Sequence, residues 1–378
     1  MSLVQELHIL VRNSGSVSRA DLMRYFGYNV EVHNVTTADG YILEVDRMPS
    51  KLTDNATTSR TPLLLVHGLL TNAATWTANL RFQSPGFLLA DAGFDVWLVN
   101  TRGVPQSNRH VNLTTNDKRF WNWSLEEIST QDLPAVIDYI LNMTNFTKVG
   151  LLTTSQGTTA SLVLLSMRPE YNQKVNILVG YAPVANITHF TSPMRWLVPF
   201  SKLVKAVNDF FTRGGFLVSN AVRQKKVAWM CDHRFFRNLC YKPLAFLYAI
   251  STCGTHSGVH TYNVLKDAHS IHHFVIGLTV YRGDGDIFAN PQDVHDLAER
   301  LRCILVVNQT VPDPLFGHLD FIYGYNATDI LHHHMVELFK NCNSTDEDST
   351  VTRNNGALDL RLASKDCAGA DCTGDCFR

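Results

Sequence analysis

Six short apolar runs, spaced along the chain and separated by helix-compatible segments, limit what this sequence can become. They are PLLLV (62–66), FDVWLV (94–99), KVGLLT (148–153), VNILVGYAPV (175–184), VIGLTVY (275–281) and CILVVNQ (303–309). Runs this apolar and this short read as strands buried on both faces. Helical patterning falls between them at about 84–92, 124–141, 156 onward, 292–301 and 327–340. Strand–helix alternation implies a mostly parallel central sheet with helices on both faces. Residues 28–48 add a hairpin, with two β-rich runs flanking the turn pair Asp39-Gly40. Ser124 and Glu127 form a capping box for the helix that follows, and Pro134 should kink or restart it. A composition of 45% hydrophobic and 18% charged residues supports a sizeable core.

Residues 186–274 break the alternation, mixing aromatic and basic residues with short apolar helices. They read as a helical cap inserted over the sheet. The expected organisation is therefore an N-terminal extension (1–27), a first core part (28–185), the cap (186–274), a second core part (275–340) and a disordered tail (341–378). The tail is polar, acidic and glycine-containing.

Between KVGLLT and the next helical run sits Thr153-Thr154-Ser155-Gln156-Gly157. This is close to the nucleophile elbow G-x-S-x-G of α/β-hydrolases, in which a sharp strand-to-helix turn lifts a serine hydroxyl clear of the sheet. The helix N-terminus beneath favours developing negative charge. Thr153 stands where the pattern has glycine, so its branched side chain is expected to crowd the elbow. A serine nucleophile needs a base, and the base needs an orienting carboxylate. Downstream, VIGLTVY ends in RGDGD (282–286) and CILVVNQ leads to His318. The order serine, acid, histidine with each on a post-strand loop suits the same chemistry. Asp284 or Asp286 could be the acid. Asp286, before the apolar pair Ile287-Phe288, is better placed to point inward. His272 and His273 precede a strand, and His332, His333 and His334 are consecutive on a helix; these are read as solvated or packing residues. Two backbone N–H groups would hold an oxyanion: that of Gln156 and, from the loop HGLL (67–70), that of Leu69. His67 is expected to pack and hold that loop.

The motifs HGLLTNAATW, LADAGFDVWLVNTRG, FWNWSLEEISTQDLPAVIDYI, TSQGTT, YAPVANITHF, GDGDIFANPQDV and GHLDFIYG occur in this order. They resemble the acid lipase family, which includes gastric and lysosomal acid lipases, over about residues 28–340. The resemblance implies an α/β-hydrolase fold with a cap, and hydrolysis of triacylglycerols or cholesteryl esters at an oil–water or membrane interface, with no metal or cofactor. It assigns Ser155 as nucleophile, Asp286 as acid and His318 as base, with Leu69 and Gln156 as the oxyanion residues. Cys231 and Cys240, which enclose a short basic loop, match the family's cap disulfide. Three departures accompany it: Thr153, a cap several tens of residues shorter than in the family, and a cysteine-containing tail. A shortened cap would favour smaller soluble esters. A protein that binds lipid or a partner without turnover is the alternative of a different class.

Charge and targeting signals complete the reading. A net charge of −1 gives no reason to expect a nucleic-acid partner, and RQKK (223–226) is a solvated helix face. No apolar run is long enough to span a membrane. Ten N-x-S/T sequons begin at Asn34, Asn55, Asn112, Asn122, Asn142, Asn145, Asn186, Asn308, Asn326 and Asn343. Roughly four would occur by chance at this Asn, Ser and Thr content. The excess points to a glycoprotein that is secreted or lysosomal. The start MSLVQELHILVRNSGS is not a signal peptide, so the precursor's start is expected to be missing. Cys253 and Cys303 read as buried thiols. Cys367, Cys372 and Cys376 lack the histidine and the spacing of a zinc site.

Overall fold

The computed structural model describes residues 19–51, 59–185, 187–189, 191, 198–200, 277–302 and 304–343. The expectations for most of the cap, Cys231 and Cys240, Cys253, Cys303, His272 and His273, and the tail beyond Asn343 lie outside these residues.

The hairpin comes first, as β1 (Glu31–Thr36) and β2 (Tyr41–Met48), antiparallel and joined through Asp39-Gly40. The strands β3 (Pro62–Val66), β4 (Asp95–Val99), β6 (Val149–Thr154), β7 (Val175–Tyr181), β8 (Gly277–Arg282) and β9 (Leu305–Thr310) follow from the six apolar runs. A two-residue strand, β5 (Arg109–His110), pairs with β2. The sheet order is β1-β2-β4-β3-β6-β7-β8-β9, with every pairing from β4 to β9 parallel. Strands β3, β4 and β6 are buried at every position. That is why their sequences are continuous apolar runs and show no alternation. Strands from either side of the 186–274 insertion pair directly, β7 with β8, so the chain returns to one sheet.

Helices α1 (Arg19–Tyr25), α2 (Pro85–Asp91), α3 (Leu133–Thr144), α4 (Gln156–Met167), α5 (Pro291–Arg300), α6 (Asp320–Tyr323) and α7 (His333–Asn343) connect or flank the strands. Helix α1 belongs to the stretch read as an N-terminal extension. It buries Met23, and Arg19 pairs with Asp46 and Glu44 of β2. Both halves of the Ser124–Glu127 capping box are present. The following turn, Ile128–Asp132, is π-helical, and α3 restarts with Pro134 in its first turn. The wider turn places Asp132, fully buried, beneath the end of β4. There the Arg102 backbone N–H and Nε each donate to it at 2.8 Å. Arg102 also donates to Asp39 at 2.6 Å and lies 4.1 Å above the Tyr41 ring. One guanidinium thus joins the hairpin turn, the end of β4 and the helix that crosses back.

A second π-helical turn, Thr328–His332, precedes α7. His332 is fully buried, donates from Nε2 to the Phe321 carbonyl at 2.9 Å and stacks on Tyr181. Burial holds its imidazole down to about pH 4, against an ordinary value near 6.5. Between these values the unfolded chain binds more protons than the folded one, so stability falls with acid. The full penalty, on the order of 3 kcal/mol, is reached below about pH 4. His332→Phe should therefore lower the melting temperature at pH 7, by losing the bond to Phe321, yet flatten its decline between pH 6.5 and 4. An unchanged slope in thermal unfolding across that range would contradict this account.

Candidate active site

Strand β6 runs directly into α4 through Ser155, whose backbone has φ 51° and ψ −119°. A non-glycine residue there is strained and persists only when its surroundings hold it. The Ser155 N–H donates to the Tyr181 carbonyl at 3.0 Å. Its own carbonyl accepts from the N–H groups of Thr158 and Thr159, at 3.0 and 3.2 Å. The first turn of α4 passes so close under β3 that a Cβ on Gly157 would lie 2.5 Å from the Val66 carbonyl oxygen. Only glycine fits there.

The expected crowding by Thr153 is not what the structure contains. Its side chain is buried, 2.8 Å from the Thr158 hydroxyl and donating to the Val179 carbonyl at 3.2 Å. Space comes from Gly180 on the neighbouring strand, where an added Cβ would meet Thr158 at 2.8 Å. Thr153 is thus a hydrogen-bonded part of the elbow, and the close approach lies at Gly157.

Asp286 and His318 arrive from the two loops beyond β8 and β9. Asp286 is buried, and its Oδ1 accepts from the N–H groups of Phe288 and Ala289 at 2.8 and 2.9 Å. Its Oδ2 lies 2.8 Å from His318 Nδ1. His318 Nε2 lies 2.8 Å from Ser155 Oγ. With the carboxylate on Nδ1, the proton resides there and Nε2 accepts from the serine hydroxyl. Asp284 points to solvent. The Phe288 ring packs on the His318 imidazole at 5.0 Å between centroids, and Asp320 accepts from the Gly317 N–H at 2.7 Å. Sequence reading missed both residues, although an acid in the first turn of a helix is a recognisable signal for the second. Of the other histidines, His334 Nδ1 meets the Tyr281 hydroxyl at 2.6 Å and His333 is exposed.

On the opposite side of the serine lies the loop 67–70. A Cβ on Gly68 would sit 3.2 Å from Ser155 Cβ. His67 is buried, and burial holds its imidazole down to about 4, so it is neutral. Gln156, as the first residue of α4, has no carbonyl four residues earlier within the helix to bond its N–H. Serine, imidazole, carboxylate and two backbone segments thus converge. Such an arrangement can deprotonate a hydroxyl and receive an oxyanion.

Among the described residues, one group has the composition of a metal site: His189, Asp293 and Asp296, with ligand atoms within 4.8 Å of one another. The His189 backbone N–H donates to Asp293 at 3.0 Å and its Nδ1 lies 2.8 Å from the same carboxylate, so two of the three residues already bond to each other. No described helix is long and apolar enough to cross a membrane.

Two family models match the chain: a partial alpha/beta-hydrolase lipase region over residues 19–80 and the alpha/beta hydrolase fold over 61–238. The sequence is 30% identical to lysosomal acid lipase/cholesteryl ester hydrolase of Macaca fascicularis, over 85% of this chain and 90% of that protein. It is also 30% identical to gastric triacylglycerol lipase of Bos taurus, over 85% and 91%, and 28% identical to human lipase member M, over 85% of each. Among solved structures, the haloalkane dehalogenase DatA from Agrobacterium tumefaciens C58 matches with TM-score 0.51 at 14% identity, covering 84% of this chain and 98% of that one. That likeness concerns the fold alone.

The hydroxyl contacts of Thr153 generate a prediction. Thr153→Val leaves Thr158 and Val179 without that partner and should destabilise by about 1–3 kcal/mol. Thr153→Gly, which would relieve crowding if there were any, should also destabilise. Urea unfolding decides, and a stabilised Thr153→Gly would restore the crowding account.

Proposed function

Because the chain belongs to the acid lipase family, we propose that it is a serine hydrolase that cleaves the carboxylic ester bonds of lipids through an acyl-enzyme. The observation that carries this reading is the continuous pair of 2.8 Å contacts from Asp286 through His318 to Ser155. Ser155 Oγ attacks the ester carbonyl carbon as His318 Nε2 takes its proton. Asp286 steadies the imidazolium that forms. The carbonyl oxygen becomes an oxyanion held by the N–H groups of Leu69 and Gln156. Collapse breaks the ester C–O bond, and His318 returns the proton to the leaving alcohol. Water, deprotonated by His318, then releases the fatty acid and restores Ser155.

Triacylglycerols and cholesteryl esters are the proposed substrates, by similarity to relatives bearing those names. Ser155→Ala and His318→Ala should each lower hydrolysis of a chromogenic fatty-acid ester by about 10⁴-fold or more, since triad members act as a unit. Asp286→Asn should cost heavily and Asp284→Asn little. The reverse pattern in these two aspartates would overturn the assignment. Chain-length comparison at a fixed active-site titre separates a lipase from an esterase for small soluble esters, the reading favoured by the shortened cap.

A secreted or lysosomal glycoprotein is the proposed setting. The sequon asparagines Asn34, Asn112, Asn122, Asn142, Asn145, Asn308 and Asn326 are all exposed. Cys342 is disulfide-bonded, as suits an oxidising compartment. Made through a secretory route, the protein should lose mass on enzymatic deglycosylation and contain the Cys231–Cys240 disulfide on peptide mapping. No mass change together with free thiols at both positions would sink this setting.

A further inference from the structure

We propose that Thr71 and His67 are positioning residues that clamp the Gly68 carbonyl and thereby aim the Leu69 N–H at the oxyanion. This inference rests on the serine-hydrolase reading and extends it to residues outside the triad. The Gly68 carbonyl oxygen accepts two side-chain hydrogen bonds at 2.8 Å, one from His67 Nδ1 and one from the Thr71 hydroxyl. The Gly68 C=O and the Leu69 N–H belong to one planar peptide unit and point in opposite directions. Fixing the carbonyl therefore fixes the N–H, and two donors on the oxygen also polarise the peptide toward a stronger donor.

Three further observations place a demand on this clamp. The Gly68 backbone lies against the nucleophile, since a Cβ there would be 3.2 Å from Ser155 Cβ. Leu70 has φ 56°, a left-handed conformation that is costly for leucine and needs restraint from outside. Finally, His67 is itself anchored: its Nε2 accepts from the Thr101 N–H at 3.3 Å, just past the end of β4. That bond assigns the proton to Nδ1, where it donates to Gly68. The anchoring strand β4 pairs with β3, so the clamp is braced by the sheet. Burial keeps His67 neutral, and the Arg19 guanidinium acts in the same direction. Threonine at 71 thus supplies a second donor that an apolar residue of the same shape cannot.

The test uses the full-length chain, with activity normalised to the end-point labelling of Ser155 by a fluorophosphonate. Thr71→Val should lower kcat on a soluble p-nitrophenyl ester by roughly tenfold with KM unchanged, a fraction of the 10²–10³ lost when an oxyanion donor is removed outright. Fluorophosphonate labelling should slow in parallel, and Thr71→Ser should restore both. At position 67 donor chemistry and volume make opposite forecasts. His67→Asn can still donate to Gly68, whereas His67→Gln fills the space better and does not. The asparagine variant should retain the higher kcat. Equal kcat in Thr71→Val and the unmodified protein, or a glutamine variant better than the asparagine one, overturns the clamp alone. An unmodified protein that neither labels nor hydrolyses overturns the serine-hydrolase reading as well.

Discussion

The close passage of α4 beneath β3 is the constraint on which the site depends. Gly157 lets the two backbones approach within a distance that no side chain tolerates. That approach forces the chain to reverse sharply at Ser155 and holds its backbone in a left-handed conformation. The strain is offset by hydrogen bonds: the Ser155 N–H donates to the Tyr181 carbonyl at the end of β7, and its carbonyl accepts from Thr158 and Thr159 of α4. The same approach sets the 67–70 loop against the serine, because that loop continues from β3. The sharp turn at Ser155 and the placement of the 67–70 loop are two consequences of one contact between backbone atoms.

Asp286 and His318 are positioned by different means. Asp286 is held by two N–H groups of its own loop, so its carboxylate keeps one oxygen for His318. His318 is pinned on the other side by Phe288, which belongs to the acid's loop. The two loops therefore support each other across the β8–β9 pair, and the elbow contributes little to their arrangement.

Much of this was legible in the chain because burial on both faces leaves a one-dimensional signal in β3, β4 and β6 to β8, and even the edge strand β9, only half-buried, keeps an apolar run. Six apolar runs marked six parallel strands, and the capping box marked the helix start at Ser124. The choice of Asp286 over Asp284 followed from the apolar pair after it; Asp286 and Phe288 are buried, while Ile287 and Asp284 face solvent. What escaped was whatever depends on neighbours remote in sequence. Thr153 looked too large because Gly180 and the Thr158 hydroxyl, which accommodate it, lie on other elements. Neither π-helical turn has a residue pattern of its own, since each is set by what it packs against. Thr71 and Thr101 lie within quoted motifs but nothing in those motifs assigned them a role, and only the geometry around the Gly68 carbonyl shows what they touch.

The pairing of β7 with β8 brings together strands that end at Tyr181 and begin at Gly277. Loop closure of that length is entropically costly and slow compared with the local contacts made earlier in the chain. During synthesis, β1 to β7 and the strained serine can assemble before Asp286 and His318 have been made. Ser155 would then stand without the His318 imidazole that lies against its hydroxyl. The contacts from Asp286 through His318 to Ser155 thus close only with the last strands, and a chain truncated anywhere before His318 would lack them however much of its sheet had formed.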